Sequence, residues 1–123
     1  MVEVKELSAA KAEDLYKESG LNYSTTTSKA IAALDGENCL GICLYDITDS
    51  SVIIRMLDPA TDLTMADSML RSALFIAANR GIMEAYFKEP VEAELIKRLG
   101  FLGNEDNKTI DITNLFNPCG CKK

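Results

Sequence analysis

Short apolar stretches, each bounded by turn residues, predict six β-strands along this chain. The segment 2–7 alternates apolar and polar residues, as a half-buried strand does. The segment 52–57 is almost continuously apolar, which is typical of a central strand covered on both faces. The other predicted strands are the segments 29–34, 39–47, 83–87 and 109–113. Asp35-Gly36-Glu37-Asn38 joins the second and third strands as a hairpin turn.

Two segments between these strands repeat apolar residues at helical spacing. The first helix follows a cap at Ser8 and ends near Glu18. The second is predicted to start near Thr64, which forms a capping-box pattern with Asp67, and to stop at Gly81. The capping pattern and the length of the apolar repeat together predict that this second helix packs one side against the sheet.

A third helix is predicted from Pro90, placed at its first position, to a C-terminal cap at Gly100. The predicted order is β-α-β-β-β-α-β-α-β, which indicates an α+β protein with an α/β-like mixed sheet and packed helices. Residues 1–116 are expected to form one domain, followed by a short cysteine-containing tail at 117–123.

Composition narrows the classes of function. The chain has 123 residues, a net charge of −6 and no histidine. An acidic surface repels phosphate backbones and anionic lipid, so we expect neither nucleic-acid nor membrane binding. No secretory signal is visible, and we expect a cytoplasmic protein with reduced cysteines. The lack of histidine removes the commonest general base and metal ligand.

Three short segments give this element order a resemblance to a known family. The central strand ends in Met56-Leu57-Asp58-Pro59, the next helix carries Leu70 and Leu74, and the last helix ends in Leu99-Gly100-Phe101. In this combination the chain resembles the GNAT superfamily of acyl-CoA N-acyltransferases. The resemblance implies an N-acetyltransferase that uses acetyl-CoA and a small-molecule or protein amine as acceptor. It also implies a V-shaped gap beside Leu57 that admits the pantetheine arm.

The loop after the central strand departs from the family pattern. The family reads Gln/Arg-x-x-Gly-x-Gly/Ala there, and the three motif positions fall on Asp62, Met65 and Asp67. This loop has neither a glycine nor a basic residue, so the site is interpreted as atypical or decayed. The resemblance implies cofactor contacts, made mostly by the main chain, at Leu57, Leu63, Thr64, Met65, Ala66 and Asp67.

The catalytic groups are not fixed by the sequence. The family's thiolate-protonating tyrosine corresponds to Ile96, so Tyr86 is the nearest alternative. The main chain at Leu57 is a candidate for polarising the acyl carbonyl, and Glu84 and Asp46 are candidate bases. The short N-terminal half leaves the acceptor side open or completed by a second copy of the chain, as in a homodimer.

Four cysteines leave a further alternative. Cys119 and Cys121 are one residue apart and could chelate a soft metal or cycle through a disulfide, although no complete metal site is predicted. Cys39 and Cys43 are predicted to be small core residues on one face of a strand. The alternatives to acyl transfer are therefore a non-catalytic binding or assembly module on the same fold, and a thiol- or metal-linked role of the tail.

Overall fold

The computed structural model describes residues 2–116, apart from the side chains of Asn114 and Phe116. These residues form a seven-stranded sheet, three α-helices and a short 3₁₀-helix. The elements are β1 Val2–Glu6, α1 Ala9–Glu18, β2 Ser28–Asp35, β3 Asn38–Ile47, β4 Ser51–Asp58, α2 Leu63–Asn79, β5 Glu84–Phe87, α3 Ala93–Arg98, β6 Leu102–Asn104, β7 Thr109–Ile110 and the 3₁₀-helix Ile112–Phe116.

The sheet is mixed, as the element order predicts. Its strand order is β1-β2-β3-β4-β5-β7-β6. The β4–β5 pair is parallel, and the other pairs of neighbouring strands within residues 2–116 are antiparallel. A parallel pair needs a crossover connection, and α2 supplies it between β4 and β5. This connection places the start of α2 at the same end of the sheet as the end of β4.

Two apolar clusters cover the two faces of the sheet. The larger one lies under α2 and includes Leu70, Leu74 and Phe87, all almost fully buried. The smaller one lies under α1 and includes Tyr16 and Leu44. The burial of these apolar side chains away from water is the main force that holds α1 and α2 on the sheet.

The predicted α3 and the last strand differ from the structure. The helix α3 begins at Ala93 after an N-cap at Glu92, so Pro90 lies before the helix and not at its first position. The chain after Phe101 forms two short strands, and β7 stops at Ile110. Asp111 accepts hydrogen bonds from both the backbone N–H and the hydroxyl of Thr113, which turns the backbone out of the strand.

A β-bulge corrects the prediction for two cysteines. In β3 the register shifts so that Leu34 pairs with Cys39 and Ala33 pairs with Gly41. The extra residue moves Cys39 to the α1 face, where it is exposed, whereas Cys43 is buried under α2. The two thiols therefore lie on opposite faces, and only Cys43 is a core residue.

No helix within residues 2–116 combines the length and the apolar composition that crossing a membrane requires.

Candidate functional site

The two parallel strands in the middle of the sheet separate before β4 ends. They pair from Ser51 opposite Glu84 to Ile54 opposite Phe87. The last link is a hydrogen bond of 3.1 Å from the N–H of Lys88 to the carbonyl of Ile54. Beyond it, residues 56–58 stay paired with β3 on one side, while their other edge has no strand partner in the described chain.

A bulge in β4 lies at the point of separation. Tyr45 pairs with Ile54 and Leu44 with Met56, so Arg55 is the extra residue. A bulge bends its strand and increases the local twist. It therefore turns the last part of β4 away from β5 and leaves backbone groups on that edge free for a ligand.

A cleft of about 530 Å³ opens at this edge. Its polar groups are the exposed carboxylates of Glu18 and Asp58 and the hydroxyl of Ser19, which lies 3.4 Å from the sulfur of Met56. The lining described by the structure contains no lysine or arginine. The remaining lining residues are Leu15, Ile42, Leu57 and Pro90. A negative rim over an apolar floor suits an amine whose ammonium form remains near the carboxylates.

A buried polar network supports the bulge from the α1 side. Nη1 of Arg55 lies 2.7 Å from a carboxylate oxygen of Asp46, and both side chains are largely buried. The other oxygen of Asp46 accepts hydrogen bonds from Ser28 at 2.6 Å and from Thr27 at 3.3 Å. Nε of Arg55 has no hydrogen-bond partner among the described groups. Asp46 is thus fully engaged, which removes it as a free general base.

Three neutral groups fill the core beside this network. Tyr16 donates its hydroxyl to the carbonyl of Tyr45 at 2.8 Å, and Tyr45 donates its own to Glu6 at 3.1 Å. Burial raises the pKa of Tyr16, and the charge of Asp46 raises it further. Burial also raises the pKa of Tyr45, with a further rise from Glu6, and it raises the pKa of the Cys43 thiol to about 12. These groups stay protonated and have a structural role.

The start of α2 carries its own negative cap. Asp62 has an extended backbone, and its carboxylate accepts a hydrogen bond of 3.0 Å from the N–H of Met65. The carbonyl of Asp62 accepts the N–H of Ala66 at 2.9 Å. The predicted capping box at Thr64 and Asp67 is therefore wrong, because the helix starts at Leu63 and Asp62 is its N-cap.

Two arginines near this helix start are already engaged. Nε of Arg71 lies 2.8 Å from Asp67, and its guanidinium carbon lies 5.0 Å from the centre of the Phe101 ring. Arg98 lies 3.2 Å from Glu94 and lines a shallow cleft of about 280 Å³ between α2 and α3. The sequence does not reveal this approach, since α3 is remote from the loop along the chain. The other residues of this cleft are Leu63, Thr64, Asp67 and Leu99.

The structure separates the residues that the resemblance proposes for the cofactor. Leu57 lines the 530 Å³ cleft, whereas Leu63, Thr64 and Asp67 line the shallow cleft. Ala66 is fully buried. The side chain of Met65 lies over Gly41, where an added Cβ would come within 2.8 Å of the methionine sulfur. The main-chain N–H groups of Met65 and Ala66 already have partners, as described above.

The candidate catalytic side chains lie away from the cleft lining. Ile96, at the family's tyrosine position, is fully buried in the core. Tyr86 is half-buried and donates its hydroxyl to Glu84 at 3.3 Å, and Glu84 is exposed. Sequence reasoning did not identify Glu18, Ser19 and Pro90 as lining residues. No periodic signal could have found them, because the end of α1 and the loop before α3 are far apart along the chain.

The tail cysteines Cys119 and Cys121 lie outside the described residues. Within residues 2–116, no group of three or more side chains with metal-binding atoms comes together.

Comparison with solved structures shows that the chain has the fold of the GNAT acetyltransferases. It is similar to an acetyltransferase from Trypanosoma brucei, with a TM-score of 0.61, 11% identity and coverage of 85% of this chain and 95% of that one. It is similar to the PaiA N-acetyltransferase from Thermoplasma acidophilum in complex with coenzyme A, with a TM-score of 0.58, 13% identity and coverage of 89% and 96%. It is also similar to a GNAT-family acetyltransferase from Streptococcus pneumoniae, with a TM-score of 0.55, 18% identity and coverage of 82% and 87%. No family model matches the chain, and no curated protein matches its sequence.

The residues present fit one part of coenzyme A and not the other. The open β4 edge at Leu57 offers main-chain groups to a pantetheine thioester. At the α2 start, the Asp62 carboxylate holds a helix N–H that a phosphate oxygen would otherwise take. Two like charges 4 Å apart repel by about 1 kcal/mol even in water. The diphosphate therefore does not fit this end of the site.

Proposed function

We propose that this protein transfers an acyl group from a thioester to an amine, in the cleft where β4 and β5 separate. The observation that carries the proposal is the open edge of β4 after Ile54, next to an acidic cleft, in a chain with an acetyltransferase fold. The fold suggests the reaction class, and the charge of the cleft suggests the acceptor.

The main chain of β4 performs the central step. In the proposed mechanism the N–H of Leu57 donates to the thioester carbonyl oxygen, whose negative charge grows as the amine nitrogen attacks the carbonyl carbon. A strand edge fixed by pairing with β3 presents this donor without reorganisation. This role needs no particular side chain, so it is compatible with the unusual loop that follows.

The rim carboxylates of Glu18 and Asp58 bind the ammonium form of the acceptor and offset its positive charge. The end of α1 lies at the same rim, and the negative end of its dipole also favours a cation. One ammonium proton first passes to a rim carboxylate and frees the nitrogen lone pair, which then forms the C–N bond as the C–S bond breaks. A second proton passes to the departing sulfur, so the products are an amide and a thiol.

The test fills the cleft and follows the products. Ser19→Trp introduces a large ring at the α1 end of the cleft, and Phe75→Trp is the matched control, because Phe75 is exposed on α2 outside this cleft. Each protein is incubated with acetyl-pantetheine or acetyl-CoA and with spermidine or a lysine-containing peptide. Free thiol and acetylated amine are then measured by mass spectrometry.

We expect the wild type and Phe75→Trp to form acetylated amine, and Ser19→Trp to form at least tenfold less while it melts at the same temperature. Absence of product with every donor and acceptor would contradict the proposal and favour the non-catalytic binding module. Equal activity of Ser19→Trp would remove this cleft as the site.

A further inference from the structure

We infer that the acyl donor of this site is a pantetheine thioester without the nucleotide of coenzyme A. The inference rests on the proposed function and specifies its donor. It follows from the difference between the open β4 edge and the capped start of α2, which lie at the same end of the sheet.

The pantetheine thioester, which is the reacting half of such a donor, fits the open edge of β4 and the adjoining cleft. A pantetheine arm is a chain of amide groups, and an unpaired strand edge offers N–H and C=O groups at regular spacing. Residues 55–58 provide this edge, since β5 has ended and the turn at Lys88 has closed the pairing. The cleft lined by Leu57 then receives the thioester.

The nucleotide half of coenzyme A would lie beside a negative charge of the protein, the carboxylate of Asp62. The first turn of a helix has free N–H groups that attract anions, and here Asp62 occupies that position with its own carboxylate. Asp62 therefore acts as an internal substitute for a phosphate. A diphosphate would have to displace this carboxylate and then bind beside it.

The neighbouring charges do not offset this repulsion. Arg71 is held by Asp67 and by the ring of Phe101, and Arg98 is held by Glu94. An arginine that moved to a phosphate would leave its carboxylate partner unpaired. The net gain in binding free energy from this exchange is therefore small. Asp58, one residue after Leu57, adds an exposed negative charge to the path between the two ends.

Two sources supply this donor chemistry, free acyl-pantetheine and an acyl group on the phosphopantetheine of a carrier protein. Both present the same thioester arm and lack the phosphorylated nucleotide. The experiment therefore compares acetyl-pantetheine, acetylated acyl carrier protein and acetyl-CoA, each measured as a binding isotherm and as a donor with spermidine.

We expect wild-type protein to bind acetyl-pantetheine or the acetylated carrier protein at least as tightly as acetyl-CoA. We also expect added salt to tighten acetyl-CoA binding, because salt screens repulsion. Asp62→Ser keeps a residue type that caps helices and removes the charge. This change should raise acetyl-CoA affinity roughly fivefold, the factor by which one repulsive unit charge at this distance weakens binding, and leave acetyl-pantetheine affinity unchanged.

Asp49→Ser is the matched control, because it removes one charge at the β3–β4 turn, at the other end of β4. It should change neither affinity. If wild-type protein binds acetyl-CoA at least tenfold more tightly than acetyl-pantetheine and the carrier protein, the inference is overturned and the proposed transfer stands. If no thioester binds at millimolar concentration, the proposed transfer fails, and this inference fails with it.

Discussion

The end of β4 and the start of α2 lie a few residues apart, yet they differ in whether their backbone groups are open to a ligand. At β4 a bulge and the early end of β5 leave a strand edge open, and this opening depends on backbone pairing. At α2 the Asp62 carboxylate fills the position where an anion would bind. A backbone feature survives changes of side chain, whereas an anion site is lost when one carboxylate enters it.

The largest expected effect concerns the core that both regions share. Tyr16, Tyr45 and Cys43 have pKa values raised by burial, so the folded protein holds protons that the unfolded chain releases. Their stabilising contribution is complete below about pH 9, the ordinary thiol pKa, and is lost as the pH rises toward 12. The free energy of unfolding should fall by on the order of 5 kcal/mol between pH 8 and pH 11.

Urea unfolding followed by circular dichroism at each pH measures this loss. Cys43→Ala removes one of the three groups, so its stability should fall less steeply with pH. A free energy of unfolding that stays constant from pH 8 to pH 11 would show that these groups titrate in the folded protein, and that the core under both regions is loose.

The second effect tests whether the ion pair between Arg55 and Asp46 holds the open end of β4 in place. Arg55→Ala leaves Asp46 charged and largely buried without its cationic partner. Loss of one partner from such a pair should lower the free energy of unfolding by about 3 kcal/mol. Denaturant titrations of Arg55→Ala, Asp46→Asn and the double variant form a thermodynamic cycle. Additive losses would mean that the ion pair does not support the bulge.

The third effect tests the contact between the two regions. A Cβ at Gly41 would lie 2.8 Å from the Met65 sulfur and 2.9 Å from the carbonyl oxygen of Asp58. Gly41→Ala should therefore displace the loop and cost about 2 kcal/mol. Met65→Ala in the same chain should restore only part of this loss, because the backbone oxygen remains. Thermal and urea unfolding measure both, and full recovery would contradict the close approach of Asp58.

The smallest effect separates the observed cap from the predicted one. Asp62→Ala removes the hydrogen bond to Met65 and should cost about 1 kcal/mol. Thr64→Ala, at the position that the sequence pattern favours, should change the free energy of unfolding by less than half of that. If Thr64→Ala lowered the free energy of unfolding by urea more than Asp62→Ala does, the N-cap of α2 would be Thr64 and not Asp62.

Most of the fold could be predicted from local patterns. The capped helix after Ser8, the hairpin at Gly36 and the mixed character of the sheet agree with the structure, because strands and helices have periods that appear directly in the sequence. The last strand was less predictable. Its alternating residues were overridden at Asp111 by a side-chain hydrogen bond to the next turn.

The candidate site was predicted only in part. Leu57 was identified at the end of the central strand, but the facing residues Glu18, Ser19 and Pro90 come from other elements. The bulge in β3 moved Cys39 to the other face, and the sequence has no mark that distinguishes this bulge from regular alternation.

The sequence by itself determined the order of strands and helices, their apolar faces and the acidic character of the loop after β4, since these depend on neighbours along the chain. Only the tertiary structure decided where β4 and β5 separate, which carboxylate caps α2 and which charges meet across the cleft. Those outcomes depend on register, bulges and contacts between distant segments, and such contacts form only when the whole sheet has assembled.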